Sequence, residues 1–452
     1  MNARRADYAA LLERLRAHEH IETAPRPRGP EKLASMRWLL ERLGQPQAGL
    51  AVVHVAGTNG KGMTSTMIAA LLRQAGHATG LYTSPHVVDL RERIVLDGQW
   101  ISPALLTEVG HPVLDAAESP ECPQRCSYFD LLTAMGLLAF QRAGLAWAVL
   151  ETGLGGRADA TNAVPKRLAV LTRIGLDHMA VLGNTLREIA GEKLGIVQPG
   201  VPTVIANQPP ELMDWMTEQV RGLGSTPWLA ASLRIALPQA PGEPLRLRWP
   251  DGVSLAMPVD ARGVTAVKAE CAATALLAAE VALGTLPLPA RQAQARAALA
   301  VSLPGRLETR RHQRIQGTQA VLEEVVLDGG HNPDALHALA DELARWQVRA
   351  YTLILGMQAD KLVEPVRLPL ARLLGHAARV LLLLPHTARS PQPGAFEAFL
   401  ATVPLPAPPR MEAMPGPREA LLAAAETPQR PLVVAGSFWM LGDVLQHLVP
   451  KG

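Results

Sequence analysis

The residues whose types and spacing best fit a chemical role form one short glycine-rich segment, Gly57-Thr58-Asn59-Gly60-Lys61-Gly62-Met63-Thr64. It lies between an apolar, β-branched run and a stretch with helical spacing of apolar residues. Glycines let backbone N–H groups turn toward one point, and the N-terminus of a following helix adds partial positive charge there. We therefore predict a phosphate-binding loop rather than a tight turn without a ligand.

The spacing of this loop departs from the common form, G-x-x-x-x-G-K-[ST], in which a hydroxyl directly follows the lysine and holds Mg²⁺. Here Gly57-x-x-Gly60-Lys61 is one residue shorter. Gly62 and Met63 then precede the first hydroxyl, which belongs to Thr64.

Three further side chains, those of Ser84, Glu151 and His178, each follow a different predicted strand. In an open α/β sheet, ligands bind beyond the carboxyl ends of the strands, so we expect all three near Lys61. A hydroxyl, a carboxylate and an imidazole can hold Mg²⁺ against ATP phosphates, although Mg²⁺ usually prefers oxygen ligands. Taken singly, each also fits a structural role: Ser84 as a turn residue, Glu151 as a helix-cap partner and His178 as a loop histidine with its hydrogen bonds satisfied. Their shared position favours the joint interpretation.

The elements that would position these residues alternate between strand and helix. Strands are predicted at 51–56, 79–83, 147–150, 168–174 and 202–206, a hairpin at 93–101, and helices at 103–117, 129–143, 263–284 and 289–300. Thr185-x-x-Glu188 is a capping-box spelling that opens another helix. Nearly all-apolar strands separated by helices are typical of a parallel sheet covered on both faces.

The alternation of strands and helices begins again at residue 302, with strands predicted at 321–327, 351–355, 379–384 and 431–435. A chain of 452 residues is also long for a single core. We therefore predict an α/β protein with two domains. Residues 1–301 would form a P-loop ATPase domain on a doubly wound, mostly parallel sheet, and residues 302–452 a smaller Rossmann-like domain.

Composition excludes several classes of protein. A formal charge of +3 from 44 basic and 41 acidic residues, without a long basic run, argues against nucleic acid as a partner. No apolar stretch approaches about 18 residues, so we expect no membrane span and a cytoplasmic protein. Three cysteines fit a reducing compartment, and we interpret Cys122-x₃-Cys126 as a loop rather than a zinc site.

The motifs taken together resemble a known family, the folylpolyglutamate synthase / dihydrofolate synthase family within the Mur ligase superfamily. The resemblance runs from about residue 36 to 443 and rests on Gly57–Gly62, Ser84-Pro85-His86, Glu151-Thr152-Gly153-Leu154-Gly155-Gly156-Arg157, Asp159-Ala160-Thr161-Asn162, Leu176-Asp177-His178, Glu192-Lys193, Pro304-Gly305-Arg306, Asp328-Gly329-Gly330-His331-Asn332-Pro333 and Gly436-Ser437. Such an ordered series is far more specific than the phosphate loop alone.

This resemblance implies an ATP-dependent amide ligase that acts on small molecules and is a monomer. A carboxylate of dihydropteroate or a folate would take the γ-phosphoryl group of ATP, and the amine of L-glutamate would then attack the acyl phosphate. The chemistry fits the parts, because a carboxylate is a poor acyl donor until it is phosphorylated and the moving phosphoryl group needs positive charge.

The resemblance also implies roles for individual residues. Ser84, Glu151 and His178 would be Mg²⁺ ligands, and Lys193 would be carbamylated to help hold a second Mg²⁺. Lys61, His178 and Lys193 would be catalytic. The remaining assignments are ATP contacts at Gly57–Thr64, Arg306 and Asp328, pterin-side contacts at Ser127, Phe129, Ala158, Asp159 and Ala160, and glutamate-side contacts at His331 and Ser437. Without the resemblance, Lys193 would be interpreted as a helix-surface lysine and Phe129 as a core aromatic.

Three departures from the family pattern concern recognition. Met63 replaces a serine, Lys268 and Cys271 replace a glutamine and an asparagine on the adenine-side helix, and the run Arg28–Leu33 differs from the family's pterin loop. Loss of the asparagine amide would weaken nucleotide recognition by about 1–3 kcal/mol if its partner stayed unpaired. These changes affect the identity of the acceptor more than the type of reaction.

Three alternatives remain beside this interpretation. A cell-wall Mur ligase would carry a whole UDP-binding domain before the phosphate loop, where only about 50 residues stand here. A divergent paralog would join an amino acid to another aromatic carboxylate, and a nucleotide-binding protein would show no turnover. Retention of Lys61, Glu151, His178, Lys193 and Arg306 argues against the last.

Overall fold

The structure, a computed structural model, describes residues 3–19, 33–240, 242–260, 262–427 and 430–450. The run Arg28–Leu33 lies outside the described residues except for Leu33. The chain divides into two compact units, Met1–His86 with Leu90–Val301 and Val87–Asp89 with Ser302–Gly452.

The first unit is organised by an eight-stranded sheet. Its strands are β1 Ala51–Ala56, β2 Thr79–Tyr82, β3 Ile94–Leu96, β4 Gln99–Trp100, β5 Trp147–Glu151, β6 Leu168–Leu171, β7 Thr203–Ile205 and β8 Pro227–Leu229. Their order is β4-β3-β2-β5-β1-β6-β7-β8, and all neighbours pair parallel except β2–β3 and β3–β4, which are antiparallel. Strand β1 is therefore central, which places the loop that follows it among the strand ends of the sheet.

Ten helices in the described part of this unit surround the sheet. They are α1 Ala3–Arg16, α2 Ala34–Arg42, α3 Lys61–Gln74, α4 Pro103–Ala117, α5 Tyr128–Arg142, α6 Met179–Leu182, α7 Leu186–Lys193, α8 Pro210–Gly222, α9 Ala266–Leu283 and α10 Leu288–Ala300. A small antiparallel sheet precedes α9, formed by β9 Arg234–Ala236, β10 Leu245–Arg248 and β11 Ser254–Met257. The predicted capping box at Thr185 and Glu188 is confirmed, since both of its hydrogen bonds open α7.

The second unit contains a seven-stranded mixed sheet. Its strands are β12 Glu308–Ile315, β13 Val321–Asp328, β14 Tyr351–Leu355, β15 Ala377–Leu382, β16 Arg410–Ala413, β17 Leu432–Ala435 and β18 Leu448–Pro450, in the order β16-β15-β14-β17-β13-β12-β18. Its helices are α11 Pro333–Arg345, α12 Arg367–Leu374, α13 Ala395–Leu400, α14 Pro417–Ala425 and α15 Phe438–Leu445. Strands β13 to β17 pair parallel, and β12 is antiparallel to both of its neighbours. The predicted α/β class, with a large mostly parallel sheet and a second α/β unit, is confirmed.

One short segment of the second unit comes from an early part of the chain. Val87 packs against the core that α15 helps to form, and its carbonyl oxygen would lie 2.1 Å from a β-carbon at Gly442. Only glycine therefore lets α15 approach this backbone so closely.

The described residues contain no helix that is long and apolar enough to cross a membrane. All three cysteines lie in the described part of the chain, and they form no disulfide bond. The Sγ atoms of Cys122 and Cys126 are 3.8 Å apart.

Candidate active site

Two glycines shape the phosphate loop: Gly60 has a left-handed backbone conformation, and Gly57 has no space for a side chain. Gly60 has φ +81°, a left-handed conformation that favours glycine, and α3 begins directly after it. At Gly57, a β-carbon would lie 1.8 Å from Thr172 Oγ1. The N–H groups of Thr58 and Asn59 donate to Arg173 O at 2.9 and 3.0 Å. The loop is therefore held against the segment that follows β6.

Lys61 and Thr64 stand on the first turn of α3. Lys61 Nζ donates to Thr58 O at 3.2 Å, so the ammonium lies over the loop. The hydroxyl of Thr64 is buried and has no hydrogen-bond partner among the described residues. Buried hydroxyl groups are normally hydrogen-bonded, and a ligand bound at this loop would supply the missing partner. Met63, between them, is buried as well.

Glu151 brings strand β5 into contact with this loop. It is the last residue of the strand, it is buried, and its Oε2 accepts a hydrogen bond from Ser84 N at 3.0 Å. A β-carbon at Gly62 would lie 3.4 Å from the same oxygen, so the glycine leaves room for the carboxylate beside the start of α3. The structure thus brings Ser84, Glu151 and the phosphate loop together, as predicted from the strand ends.

His178 and Asp177 follow the same sheet edge after β6. His178 has φ +50°, its backbone N–H donates to Asp177 Oδ1 at 2.9 Å, and its Nε2 is 3.8 Å from Asp177 Oδ2. About a third of the His178 side chain is exposed. Asp177 was not among the predicted site residues, although its place in the Leu-Asp-His run beside His178 was a usable signal.

Lys193, at the end of α7, is not a surface lysine. Its side chain is buried, and burial, followed by the neighbouring charge of Lys61, lowers its pKa to about 7. The carboxylates of Asp177, Asp159 and Glu192 act in the opposite direction. Because Lys61 and Asp177 both act on this amine, Lys193 belongs to the same electrostatic environment as the phosphate loop.

A second glycine-rich loop, residues 152–160, follows β5, contains Ala158, Asp159 and Ala160, and is contacted by Phe129. Phe129, on the first turn of α5, packs so closely on Gly153 that a β-carbon there would lie 2.7 Å from the ring. The ring also contacts Tyr82, with centroids 5.7 Å apart. Ser127 is the N-cap of α5, where its Oγ accepts from Asp130 N at 3.1 Å. Phe129 therefore meets this loop, while the Ser127 side chain caps the helix.

Asp159 closes this second loop on itself. Its Oδ2 accepts hydrogen bonds from the N–H groups of Gly153 and Leu154, both at 2.9 Å. Its Oδ1 accepts from Thr161 N and Thr161 Oγ1. Ala158 is half-buried and Ala160 buried on either side of it. The carboxylate is therefore occupied by four protein donors.

In the second unit, Asp328 ends β13 beside Ala435 of β17. Its carboxylate accepts from Leu307 N at 2.9 Å and Gly330 N at 2.8 Å, and burial raises its pKa. These hydrogen bonds hold the turn that precedes β12 and the turn that follows β13.

Three more predicted residues surround Phe438 at the same strand ends. The guanidinium carbon of Arg306 lies 3.9 Å from the centre of the Phe438 ring, and the His331 ring meets it edge-on at 6.0 Å. Ser437 is the N-cap of α15, which begins with Phe438. Sequence reasoning did not single out Phe438, because an aromatic residue after a cap is by default a core residue.

Helix α9 lies against the phosphate loop. Cys271 Sγ is 3.8 Å from Gly60 O, and a β-carbon at Gly60 would lie 2.9 Å from that sulfur. Lys268, three residues earlier on α9, donates from Nζ to Gly263 O at 3.2 Å. Lys268 and Cys271, which depart from the family pattern, therefore both lie on a helix that contacts the phosphate loop.

Comparison with known proteins gives relatives across nearly the whole chain. Folylpolyglutamate synthase from Lacticaseibacillus casei is 30% identical over 419 residues, which cover 91% of this chain and 93% of that enzyme. Dihydrofolate synthase/folylpolyglutamate synthase from Mycobacterium tuberculosis is 32% identical over 371 residues, or 77% and 74% of the two chains. No protein-family model matches the sequence.

Solved structures resemble the whole chain. Mycobacterium tuberculosis folylpolyglutamate synthase complexed with ADP has a TM-score of 0.81 at 26% identity and covers 98% of each chain. E. coli FolC in complex with DHPP and ADP has a TM-score of 0.79 at 25% identity, with 97% of each chain covered.

Proposed function

Because this chain belongs to the folylpolyglutamate synthase / dihydrofolate synthase family of ATP-dependent ligases, we propose that it joins L-glutamate to dihydropteroate, to folates or to both. The observation that carries this proposal is the set of groups at one edge of the first sheet. The Glu151 carboxylate lies beside the start of α3, and Lys61 lies over the phosphate loop. The charges of Lys61 and Asp177 both act on the pKa of the buried Lys193.

The proposed reaction has two steps. In the first, a carboxylate oxygen of the acceptor attacks the γ-phosphorus of ATP, the bond to the β-phosphate oxygen breaks, and ADP leaves. In the second, the neutral amine of glutamate attacks the acyl carbon, the C–O bond to the phosphoryl group breaks, inorganic phosphate leaves, and the nitrogen releases one proton to solvent. Lys61 and the N–H groups at the start of α3 stabilise the charge on the moving phosphoryl group.

Mg²⁺ fits the donor set at this edge of the sheet. Ser84, Glu151 and His178 would hold it. The buried Thr64 hydroxyl, which has no hydrogen-bond partner among the described residues, is a further oxygen on the first turn of α3. Among the described residues, no group of three or more His, Cys, Asp and Glu side chains could hold a metal ion, so the proposed set depends on a hydroxyl. Once bound, Mg²⁺ would neutralise phosphate charge.

We further propose that Lys193 is carbamylated. A pKa of about 7 leaves much of its amine neutral at physiological pH, which is the form that reacts with CO₂. The carbamate would replace a buried amine by an anion with two oxygen ligands for a second Mg²⁺. Its negative charge would also be favoured by the neighbouring Lys61.

In the second unit, we assign Arg306 and Asp328 to ATP and His331 and Ser437 to glutamate. All four lie around the carboxyl ends of β13 and β17. Phe438 supports this assignment, because its ring face holds the Arg306 guanidinium and its neighbour His331 meets the ring edge-on.

His178→Ala is expected to raise the Mg²⁺ concentration needed for half-maximal activity by about tenfold or more, because one ligand is lost. ADP release measured over a Mg²⁺ titration tests this. His111→Ala removes a partly exposed histidine on α4 and serves as the matched control. An unchanged Mg²⁺ dependence in His178→Ala would remove His178 from the ligand set.

Cys271→Asn is expected to tighten ATP binding several-fold. An amide at this place on α9 offers both a donor and an acceptor near the phosphate loop, where the thiol offers only weak ones. Equilibrium binding of an ATP analogue measures the change, with Cys122→Asn as the control in a loop. Equal affinity in the wild type and Cys271→Asn would argue against nucleotide contact by this helix.

The function is tested with purified protein, ATP, Mg²⁺ and L-glutamate, with dihydropteroate, tetrahydrofolate or no acceptor. ADP release is followed, and the products are weighed by mass spectrometry. A folate product that is heavier by one glutamyl residue supports the proposal and identifies the acceptor. ADP without such a product would favour a different aromatic carboxylate, and no ADP with any acceptor would favour nucleotide binding without turnover.

A further inference from the structure

His54 is a buried histidine in the strand that leads into the phosphate loop. Its side chain is fully buried, yet its hydrogen bond goes to the other glycine-rich loop, where Nε2 lies 2.7 Å from Thr161 Oγ1. Thr161 is itself fully buried and contacts Asp159 through Oγ1 at 2.5 Å. A continuous chain of three side chains, His54, Thr161 and Asp159, therefore connects β1 to the second loop.

The direction of the hydrogen bonds follows from which atoms have protons. The Asp159 carboxylate accepts from backbone N–H groups, so the single hydroxyl proton of Thr161 must go to Asp159. Thr161 Oγ1 then accepts from His54, which places the proton of the imidazole on Nε2. The remaining nitrogen, Nδ1, then carries only a lone pair, and it is buried without a partner among the described residues.

The electrostatic environment keeps this arrangement fixed. Burial, helped by the charge of Lys166, lowers the pKa of His54 well below its usual value, so the ring stays neutral. A neutral ring with its proton on Nε2 is a permanent donor. The chain of hydrogen bonds therefore has one direction at physiological pH.

The series of hydrogen bonds from His54 ends on the backbone of the second glycine-rich loop, which carries the proposed acceptor contacts. Asp159 Oδ2 holds the N–H groups of Gly153 and Leu154, and Gly153 lies directly under the Phe129 ring. A shift of the carboxylate would move these amides and the surface on which Phe129 rests. The hydrogen bonds that begin at His54 therefore reach the backbone on which the Phe129 ring packs.

We propose that His54, acting through Thr161 and Asp159, is a positioning residue for the aromatic carboxylic acid acceptor and not for ATP. This inference rests on the proposed function, because it assumes that the acceptor binds beside Phe129 and Gly153. It assigns Asp159 a role in shaping the loop, since the four lone-pair directions of its carboxylate are taken by protein donors.

The test compares His54→Leu, which removes the donor, with His54→Gln, which carries an N–H at a similar distance from the backbone. Thr161→Val and Thr161→Ser form a second pair that differs in the hydroxyl. We expect His54→Leu and Thr161→Val to raise the KM for the acceptor by about tenfold, the usual size for one buried hydrogen bond. The KM for ATP should stay within about twofold, and His54→Gln and Thr161→Ser should recover most of the acceptor affinity.

Thr203→Val provides the matched control for loss of a buried hydroxyl. Thr203 hydrogen-bonds Ser225 at 2.8 Å on strand β7 of the same unit. The Thr203→Val variant should lose thermal stability as Thr161→Val does, but its KM for the acceptor should be unchanged. If His54→Leu does not fold, the Thr161 pair decides the question by itself.

Three results would overturn the inference: equal increases in KM for ATP and acceptor, a loss of stability alone as in Thr203→Val, or no recovery in His54→Gln and Thr161→Ser. Failure of the proposed function is seen separately, because the wild-type protein would then make no folate product in the same assay.

Discussion

Lys61→Ala is expected to abolish ligation, with a fall in turnover on the order of 10³-fold or more. The ammonium lies over the phosphate loop, where its Nζ donates to Thr58 O at 3.2 Å. It would act on the transferring phosphoryl group, where charge spreads during the reaction and where a fixed donor has its largest effect. Single-turnover formation of ADP with a saturating acceptor measures the change.

The matched control is Arg73→Ala, which removes an exposed cation from the last turn of the same helix, where it pairs with Asp97. Its activity should stay close to that of the wild type. Lys61→Ala should keep its thermal stability, because the ammonium is only partly buried. Turnover near the wild-type level in Lys61→Ala would refute its role.

Lys193→Ala is expected to lower turnover by about 100-fold or more, the second-largest effect we foresee. The same loss should follow in the wild-type protein when CO₂ and bicarbonate are removed, if the carbamate is the active form. The pKa of about 7 fixes the direction with pH, since the neutral amine that takes up CO₂ becomes scarce as the pH falls below about 7. Activity that depends on CO₂ should therefore decline on the acid side.

Intact-protein mass spectrometry under CO₂ and the partial rescue of Lys193→Ala by small carboxylic acids test the modification apart from the overall reaction. Arg187→Ala, an exposed change on the same helix α7, should have neither effect. Wild-type activity that is indifferent to CO₂, together with an unmodified mass, would show that Lys193 acts as an amine.

The sequence predicted the positions of most central strands because buried parallel strands are almost wholly apolar. Strand β1 matches the prediction at both ends, and β14 does so too. Strand β12 was missed, since its sequence ETRRHQRI is mostly polar and only Gln313 and Ile315 in it are buried. Its pairing with β13 and β18 comes from the rest of the second sheet, which a local pattern does not contain.

The end of β6 shows how a site overrides a local pattern. The apolar run predicted a strand to residue 174, but the strand ends at Leu171. Beyond it, Thr172 O accepts from the Gln208 amide and Arg173 O accepts from the N–H groups of the phosphate loop. The backbone that would have continued the sheet is used to shape the loop instead.

The candidate site was predictable at the level of strand ends and not at the level of side-chain roles. Glu151 and Lys61 could be placed together because parallel strands share a carboxyl edge. The burial of Lys193 could not be foreseen, because helical spacing does not tell which neighbour covers the end of α7. Likewise, the hydrogen bond from His54 to Thr161 joins residues 107 positions apart.

The short segment Val87–Asp89 has a consequence for how this protein can be divided or recombined. A cut between residues 301 and 302 would leave the C-terminal fragment without these three residues, which belong to its compact unit. The backbone of Gly442 in α15 would then lose the close cover of Val87. Any exchange of the C-terminal unit between relatives must therefore keep glycine at position 442 and carry a compatible 87–89 segment from the N-terminal part of the gene.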